Sequence, residues 1–215
     1  MFGVPGGGPN LDVVGAAATA GLRFILAHGE TAAVIMAATC ADLTGTPGAV
    51  VVTRGPGLAS AVNGIAHAAL DRLPVVVIAD TVPAGASRVS HQRIDQAGLG
   101  RSVAKAAITV GRQHPGEAAA RIVRMALAEP PGPVIANMDD TALKHTALED
   151  SGLPTATAGT PDASFLARAL RRARRPVLML GAGAIGRTAA IRAALAGRGL
   201  PARGAGRRAR PRLAA

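Results

Sequence analysis

The chain has 215 residues, of which 49% are apolar and 17% charged, and it carries a net charge of +11. This composition fits a globular protein with one large domain, or one domain and part of another, and no apolar run approaches the ~18 residues of a membrane span. Three Phe with no Trp or Tyr leave almost nothing to stack on bases, and the single cysteine, Cys40, allows no disulfide framework. The chain is therefore expected to be cytoplasmic, with neither a signal peptide nor a membrane partner.

Strand-like and helix-like apolar runs alternate through residues 1–145, which is the pattern of βαβ units around a parallel sheet. We predict an α/β fold: a doubly wound six-stranded parallel sheet with helices on both faces. The polar stretch 81–96 has no clear period and is predicted to be a long loop. The predicted strands are 2–4, 24–27, 49–53, 75–79, 106–110 and 134–137, and the predicted helices are 10–20, capped by Asn10, then 30–43, 58–70 and 116–128.

The chain after residue 145 is predicted to be an incomplete second unit. Residues 146–162 are rich in Thr, Gly, Pro and Ala, which is typical of a linker. Residues 163–200 contain a helix, a strand, a glycine run at 181–186 and a second helix, which together are predicted to be the start of a truncated Rossmann-like domain. One strand and two helices cannot bury a core of their own. Residues 201–215 have no apolar periodicity and are predicted to be a disordered, Arg-rich tail.

The positive charge belongs to this second region. More than half of the Lys and Arg residues lie between Arg168 and Arg212, and no acidic residue follows Asp162. A nucleic-acid partner is therefore not expected of the main fold. The glycine run 181–186 matches the spacing of a dinucleotide-binding turn, but the acidic residue expected about twenty positions later is missing, so NAD binding is not predicted.

Glu30 is the most informative residue of the first domain. It lies between a strand-like run and a helix-like run, where open α/β sheets place their ligands. The helix that follows, 31–38, is apolar all round and must be buried in a core or against another subunit. A plain alternative is a helix-start carboxylate stabilised by the helix dipole, worth ~0.3–1 kcal/mol. A catalytic role requires a dry setting in which the carboxyl group can share a proton.

Three glycine- or proline-rich turns follow strand ends, at 5–9, 28–29 and 54–57. Because parallel strands end at the same edge of a sheet, these turns are predicted to share that edge, where a ligand can approach the backbone closely. Alternatively, the glycines merely serve the turns. The polar pair His91-Gln92 in the long loop is a second candidate for ligand contact. No metal-ligand cluster is apparent.

Four segments of the first domain, 2–7, 24–33, 52–57 and 90–96, resemble the pyrimidine-binding domain of thiamine-diphosphate enzymes. The group most similar is the acetolactate synthase, pyruvate oxidase and benzoylformate decarboxylase type. The resemblance extends in order over about residues 1 to 140. Residues 174–186 resemble the start of the middle domain of these enzymes, in which some members bind FAD or an adenine nucleotide and others bind nothing.

The resemblance implies a 2-oxo acid substrate and a role for each candidate residue. In these enzymes the glutamate that matches Glu30 hydrogen-bonds N1′ of the aminopyrimidine ring and so promotes loss of the thiazolium C2 proton. Gln92 would then approach the substrate side, and the Glu30 helix would pack across a homodimer or heterodimer. The implied catalytic residues are Glu30 and Gln92, and the implied cofactor-binding residues are Pro5, Gly6, Glu30, Gly55, Pro56 and Gly57.

The sequence also departs from the family pattern. Arg54 stands where a serine is common, and His91 stands where a large aromatic residue is common. The carboxyl-terminal domain, which binds Mg²⁺ and the diphosphate in these enzymes, has no counterpart in this sequence. The chain is therefore expected to be a fragment that is inactive alone. The alternative is a non-catalytic or split subunit that pairs with a homologue supplying that domain.

Overall fold

A computed structural model describes residues 1–82, 86, 89–110, 115–139, 162–175, 177–196 and 202–204. Contacts divide the chain into two compact units, Met1–Pro154 and Thr155–Ala215. Nearly all of the predicted linker and most of the predicted tail lie outside the described residues. Among the described residues, no helix has both the length and the apolar character that crossing a bilayer requires.

The first unit is built on a six-stranded sheet in which all neighbours run parallel. The strand order is β2-β1-β3-β4-β6-β5. This arrangement confirms the predicted α/β fold with a parallel sheet. The strands are β1 Phe2–Val4, β2 Ile25–Leu26, β3 Gly48–Val52, β4 Val75–Thr81, β5 Ala106–Val110 and β6 Val134–Asp139.

Five helices belong to this sheet, and one of them was not predicted. Helix α4 lies where the sequence shows no helical apolar period, but the Asp95 side chain accepts a hydrogen bond from Gly98 N at 2.8 Å and so caps it. The prediction that Asn10 caps the first helix was wrong, because Gly8 is the N-cap and Asn10 lies buried inside the helix. The helices are α1 Pro9–Thr19, α2 Glu30–Thr44, α3 Pro56–Leu70, α4 Gln96–Val103 and α5 Pro115–Leu127.

The core lies between the central strands and the helix pair α2 and α3. Strand β3 supplies Val50, Val51 and Val52, all fully buried, as expected for a strand covered on both faces. Helices α2 and α3 approach closely at Gly64, where an added Cβ atom would lie 2.7 Å from Val34 Cβ. This close approach sets the position of the first turn of α2 relative to α3.

The second unit is small. It contains α6 Ser164–Arg172, β7 Leu178–Leu180, a 3-10 helix Ala182–Arg187, α7 Thr188–Ala196 and β8 Ala202–Gly204. Strands β7 and β8 pair in parallel. Residues 182–186 of the glycine run therefore lie within the 3-10 helix, and β8 occupies part of the range that was predicted to be the tail.

Candidate functional site

Glu30 is the first residue of α2, directly after the extended N-cap residue Gly29. It is partly buried, and within the described part of the chain its carboxylate has no hydrogen-bond or ion-pair partner. The carboxylate faces Gly57, at which an added Cβ atom would lie 3.6 Å from Glu30 Oε1. The start of α2 and the start of α3 thus place the Glu30 carboxylate, a hydrogen-bond acceptor, opposite the backbone of Gly57, where no side chain intervenes.

The turn Gly55-Pro56-Gly57 connects β3 to α3 and requires its glycines. Gly55 has φ +60, which is strained for any other residue, and an added Cβ atom there would overlap the carbonyl oxygen of Gln92. Pro56 occupies the first turn of α3, where its missing N–H costs no helix hydrogen bond. The turn therefore packs backbone against backbone with the segment that carries Gln92.

Thr53 fills the space between two of the predicted turns. A Cβ atom on Gly6 would overlap Thr53 Oγ1, and one on Gly57 would lie 2.6 Å from Thr53 Cγ2. Thr53 therefore positions the turn that follows β1 beside the turn that follows β3. Pro5, the neighbour of Gly6, is partly buried in the same place.

A cavity of about 490 Å³ opens at the same edge of the sheet. Gln92 lines it and adopts a positive φ of 59, an uncommon conformation for a residue other than glycine. Glu30 is not among the lining residues. The cavity is lined by Gly7, Gly8, Pro9, Thr53, Arg54, Asp80, Val82, Ala86, Ser90, His91 and Gln92.

Asp80, near the end of β4, connects the start of α1 to the turn that follows β3. Its side chain is 3% exposed and accepts hydrogen bonds from Asn10 Nδ2 at 2.6 Å, Arg54 N at 2.8 Å and Arg54 Nε at 2.5 Å. The buried carboxylate is therefore both paired with a cation and hydrogen-bonded, the condition under which buried charges are tolerated. Arg54, which departs from the family pattern, is thus an integral part of this edge.

Gln96, at the start of α4, connects the remaining elements. It is 5% exposed, and its Oε1 accepts a hydrogen bond from Gly55 N at 2.9 Å. Its Nε2 donates to Asn137 Oδ1 at 2.8 Å and to the Asp80 carbonyl at 3.2 Å. One side chain therefore links the glycine turn to β4 and β6.

The structure brings some predicted residues together and adds others. Glu30 meets Gly57, and Gln92 meets Gly55, whereas Pro5 and Gly6 lie on the far side of Thr53. Thr53, Asp80, Gln96 and Asn137 were not among the predicted site residues. The available signal was position for three of them, since Thr53 and Asn137 end predicted strands and Asp80 directly follows one, whereas Gln96 lies at the end of the predicted loop 81–96 and gave no such signal. Among the described residues, no group of three His, Cys, Asp or Glu side chains is placed to hold a metal ion.

Comparison with known families shows which family the first part of the chain matches. Residues 1–99 match the family model for the thiamine pyrophosphate enzyme, N-terminal TPP binding domain. Residues 1–99 belong to this family. The family resemblance predicted from the sequence is confirmed, and thiamine diphosphate is the cofactor that the family implies.

Individual relatives agree with this assignment. The chain is 32% identical over 200 residues to an acetolactate synthase isozyme 3 large subunit of Escherichia coli K12, covering 86% of this chain and 34% of the relative. It is 31% identical over 205 residues to a mitochondrial acetolactate synthase catalytic subunit of Saccharomyces cerevisiae, covering 85% and 29%. It is 28% identical over 198 residues to an oxalyl-CoA decarboxylase of Escherichia coli K12, covering 86% and 35%. The chain spans about a third of the length of these curated relatives.

The residues present fit the pyrimidine part of this cofactor. An aminopyrimidine needs a carboxyl partner for a ring nitrogen and a flat wall that a side chain would obstruct. Glu30 offers a carboxylate without a protein partner in the described residues, and Gly57 offers a wall of bare backbone beside it. The described site is therefore chemically suited to the ring.

Proposed function

We propose that this chain supplies the pyrimidine half of a thiamine-diphosphate site in an acetolactate synthase-like enzyme that decarboxylates or couples 2-oxo acids. The observation that carries the proposal is the Glu30 carboxylate, which is partly buried, lacks a partner among the described residues and faces Gly57. A carboxylate in this setting has its hydrogen-bonding capacity left for a ligand. The names of the relatives support the reaction class.

The proposed roles of the residues come from the family resemblance. Thiamine diphosphate, when bound, supplies the carbanion chemistry at the 2-oxo carbon. Glu30 would share a proton at its carboxylate with a nitrogen of the bound ring, which is its proposed catalytic role. Gln92, on the wall of the cavity, contacts the substrate and is the second catalytic residue. Gly55, Pro56 and Gly57 would flank the bound ring, and Pro5 and Gly6 would line the pocket beside it.

The diphosphate and its Mg²⁺ are proposed to be held by a region outside these 215 residues. The sequence resemblance assigns that task to a carboxyl-terminal domain, and the chain spans about a third of the length of its relatives. The proposal therefore includes weak cofactor binding and little or no turnover by the chain alone. FAD binding in the second unit stays a prediction from the resemblance.

A partner subunit is proposed to cover α2. Three large apolar side chains of this helix are exposed, Ile35 by 39%, Met36 by 38% and Leu43 by 45%, although the opposite face of the helix is fully buried. Burying them against a second copy in the cytoplasm, or against a longer homologue, would remove this apolar surface from water. The second arrangement is the alternative function, a non-catalytic or split subunit that is completed by its partner.

Cofactor binding tests the main proposal. Isothermal titration of the purified chain with thiamine diphosphate and Mg²⁺ should show weak binding, which Glu30→Gln weakens further by about tenfold, the loss expected for one hydrogen bond to a charged group. Glu117→Gln is the matched control, because Glu117 also lies in the first turn of a helix but is exposed on α5. Equal affinities for the original chain and Glu30→Gln would contradict the proposal.

Activity and co-purification separate the two arrangements. Decarboxylation of pyruvate should be absent for the chain alone and should appear only with a homologue that contributes the Mg²⁺-binding domain. Robust turnover by the purified chain would refute the inactive fragment. A stable complex with such a homologue, in which Glu30→Gln leaves turnover unchanged, would favour the non-catalytic subunit.

A further inference from the structure

We propose that Gln96 is a positioning residue that sets the turn Gly55-Pro56-Gly57 against Glu30 and couples this turn to Gln92. The inference rests on the proposed function and deepens it, since it concerns how the two proposed catalytic residues, Glu30 and Gln92, are held relative to the turn between them. Gln96 itself contacts neither residue's side chain in the described contacts and acts through Gly55.

The hydrogen bonds of Gln96 give it a single orientation. Its Oε1 accepts from Gly55 N at 2.9 Å, so its Nε2 must face the opposite way, where it donates to Asn137 Oδ1 at 2.8 Å and to the Asp80 carbonyl at 3.2 Å. Because both donor positions of the amide are engaged, the acceptor is fixed toward Gly55. The two strands β4 and β6 thereby fix the height of the turn at the edge of the sheet.

Gly55 is the residue through which this restraint reaches the site. It is buried and has a positive φ, and two positions later the backbone of Gly57 forms the wall opposite the Glu30 carboxylate. Without Gln96, Gly55 N would be buried without its acceptor, and the turn would move to find another partner. Such a movement displaces the wall at Gly57 from Glu30.

The same residue links the turn to Gln92. The Gly55 backbone packs so closely on the Gln92 carbonyl oxygen that an added Cβ atom would overlap it. Asp95 caps α4 through Gly98 N at 2.8 Å, which places Gln96 at the start of the helix with its side chain inward. Gln92 and Gly55 are therefore held together by contact and by the short segment that ends at Gln96.

The test compares Gln96→Leu with a variant that only destabilises the fold. Ile122→Ala is the control, because Ile122 is 3% exposed on α5 and packs in the other core cluster. We expect Gln96→Leu to weaken binding of thiamine diphosphate with Mg²⁺ by about tenfold, to accelerate hydrogen exchange of the Gly55 amide and to weaken the nuclear Overhauser contact between Glu30 and Gly57. Ile122→Ala should lower the unfolding midpoint without these local changes.

Gln96→Glu supplies the conservative variant. Its ionised carboxylate can accept from Gly55 N but cannot donate to Asn137, whereas its protonated form can do both. The ratio of its cofactor Kd to that of the original chain should therefore fall toward one as the pH is lowered. A general structural defect would not be relieved by lowering the pH, so the Kd ratio would stay high.

The outcomes separate the inference from the proposed function. If the original chain binds the cofactor and Gln96→Leu leaves the affinity, the Gly55 exchange and the Glu30–Gly57 contact unchanged, the positioning role is overturned. If the original chain does not bind the cofactor, the proposed function fails. Gly55 exchange and the Glu30–Gly57 contact, both measured without ligand, then decide whether Gln96 sets the turn.

Discussion

The carboxylate of Glu30 and the backbone of Gly57 face each other, and a Cβ atom at position 57 would lie 3.6 Å from Glu30 Oε1. The same Cβ atom would lie 2.6 Å from Thr53 Cγ2, closer than real side-chain contacts allow. One glycine therefore serves two needs at once. It lets α3 begin beside Thr53, and it leaves the space next to the carboxylate free of side chains.

Gly57→Ala should weaken cofactor binding as well as lower stability. The added methyl group must push Thr53 or α3 aside, and either shift narrows the space in front of Glu30. We expect a loss of affinity for thiamine diphosphate of about tenfold, measured by calorimetry, with a destabilisation of about 1–3 kcal/mol measured by urea unfolding.

Gly15→Ala is the matched control for this substitution. Gly15 lies within α1, and an added Cβ atom meets nothing within 4 Å. It should stabilise the chain by about 0.5–1 kcal/mol, because alanine is favoured over glycine inside a helix. A similar affinity loss in both variants would show that the space at Gly57 is not specific to the ligand.

Gly64→Ala should separate α2 from α3. The added Cβ atom would lie 2.7 Å from Val34 Cβ and 2.8 Å from the Thr31 carbonyl oxygen, and a backbone oxygen cannot move aside without moving its helix. Urea unfolding should show a loss of about 1–3 kcal/mol. Asn63→Ala, at the neighbouring exposed position, should change stability by less than about 0.5 kcal/mol. Equal effects of the two substitutions would contradict the close packing.

Asp80→Ala should be among the most destabilising single changes. It removes a buried carboxylate that pairs with Arg54 and accepts from Asn10, and breaking a buried pair from one side costs about 3–5 kcal/mol. The double variant Arg54→Ala/Asp80→Ala should lose less than the sum of the two single variants, because neither charge is then left alone. Additive losses in urea unfolding would contradict the coupling. Asp12→Ala, which removes an exposed acid from the first turn of α1, should cost no more than about 1 kcal/mol.

Met36→Glu should disrupt self-association if α2 forms the subunit interface. A charged side chain at an apolar contact must lose its hydration, so the dimer should dissociate to monomers at concentrations where the original chain sediments as a dimer. Leu22→Glu is the control, because Leu22 is also exposed, by 54%, but lies outside α2. A monomeric original chain at all accessible concentrations would refute self-association and leave the heterodimer.

Asp162 should give the start of α6 a pH-dependent stability. Hydrogen bonds from Ser164 N at 2.8 Å and Ser164 Oγ at 3.1 Å lower the pKa of this carboxyl below its ordinary value of 3.8. A lowered folded-state pKa means that the stabilisation is fully present above 3.8 and is lost as the pH falls through the folded value. The Ser164 amide resonance should follow this titration, and Asp162→Asn should abolish it. A Ser164 amide chemical shift that does not change with pH would contradict the hydrogen bonds between Ser164 and Asp162.

The fold was largely predictable because its strands are short runs rich in β-branched residues. The predicted strand 49–53, for example, nearly coincides with the observed strand β3, Gly48–Val52. Helix α4 was missed because Gln96–Val103 contains two glycines and has no regular apolar stripe. The sequence does contain an N-cap residue for this helix, Asp95, but a single capping residue without an apolar stripe does not predict a helix.

The candidate site was predictable where backbone rules decide it. Glu30 and the glycine turns follow strand ends, and a parallel sheet brings such ends to one edge. The roles of Asp80 and Gln96 were not predictable, because a polar residue near a strand end gives no sign of which partner it will meet across the fold. Their hydrogen bonds join residues 16 to 70 positions apart, and only the tertiary structure brings those residues into contact.

The pairing of Arg54 with Asp80 has a consequence for how this sequence can change over time. The two residues depend on each other. Replacing Arg54 by the serine common at this position would leave the buried Asp80 carboxylate without this counter-charge. Replacing Asp80 first would remove the carboxylate that accepts the hydrogen bond from Arg54 Nε. Drift at either position is therefore blocked unless both change within one lineage, so positions 54 and 80 should co-vary among descendants of this chain.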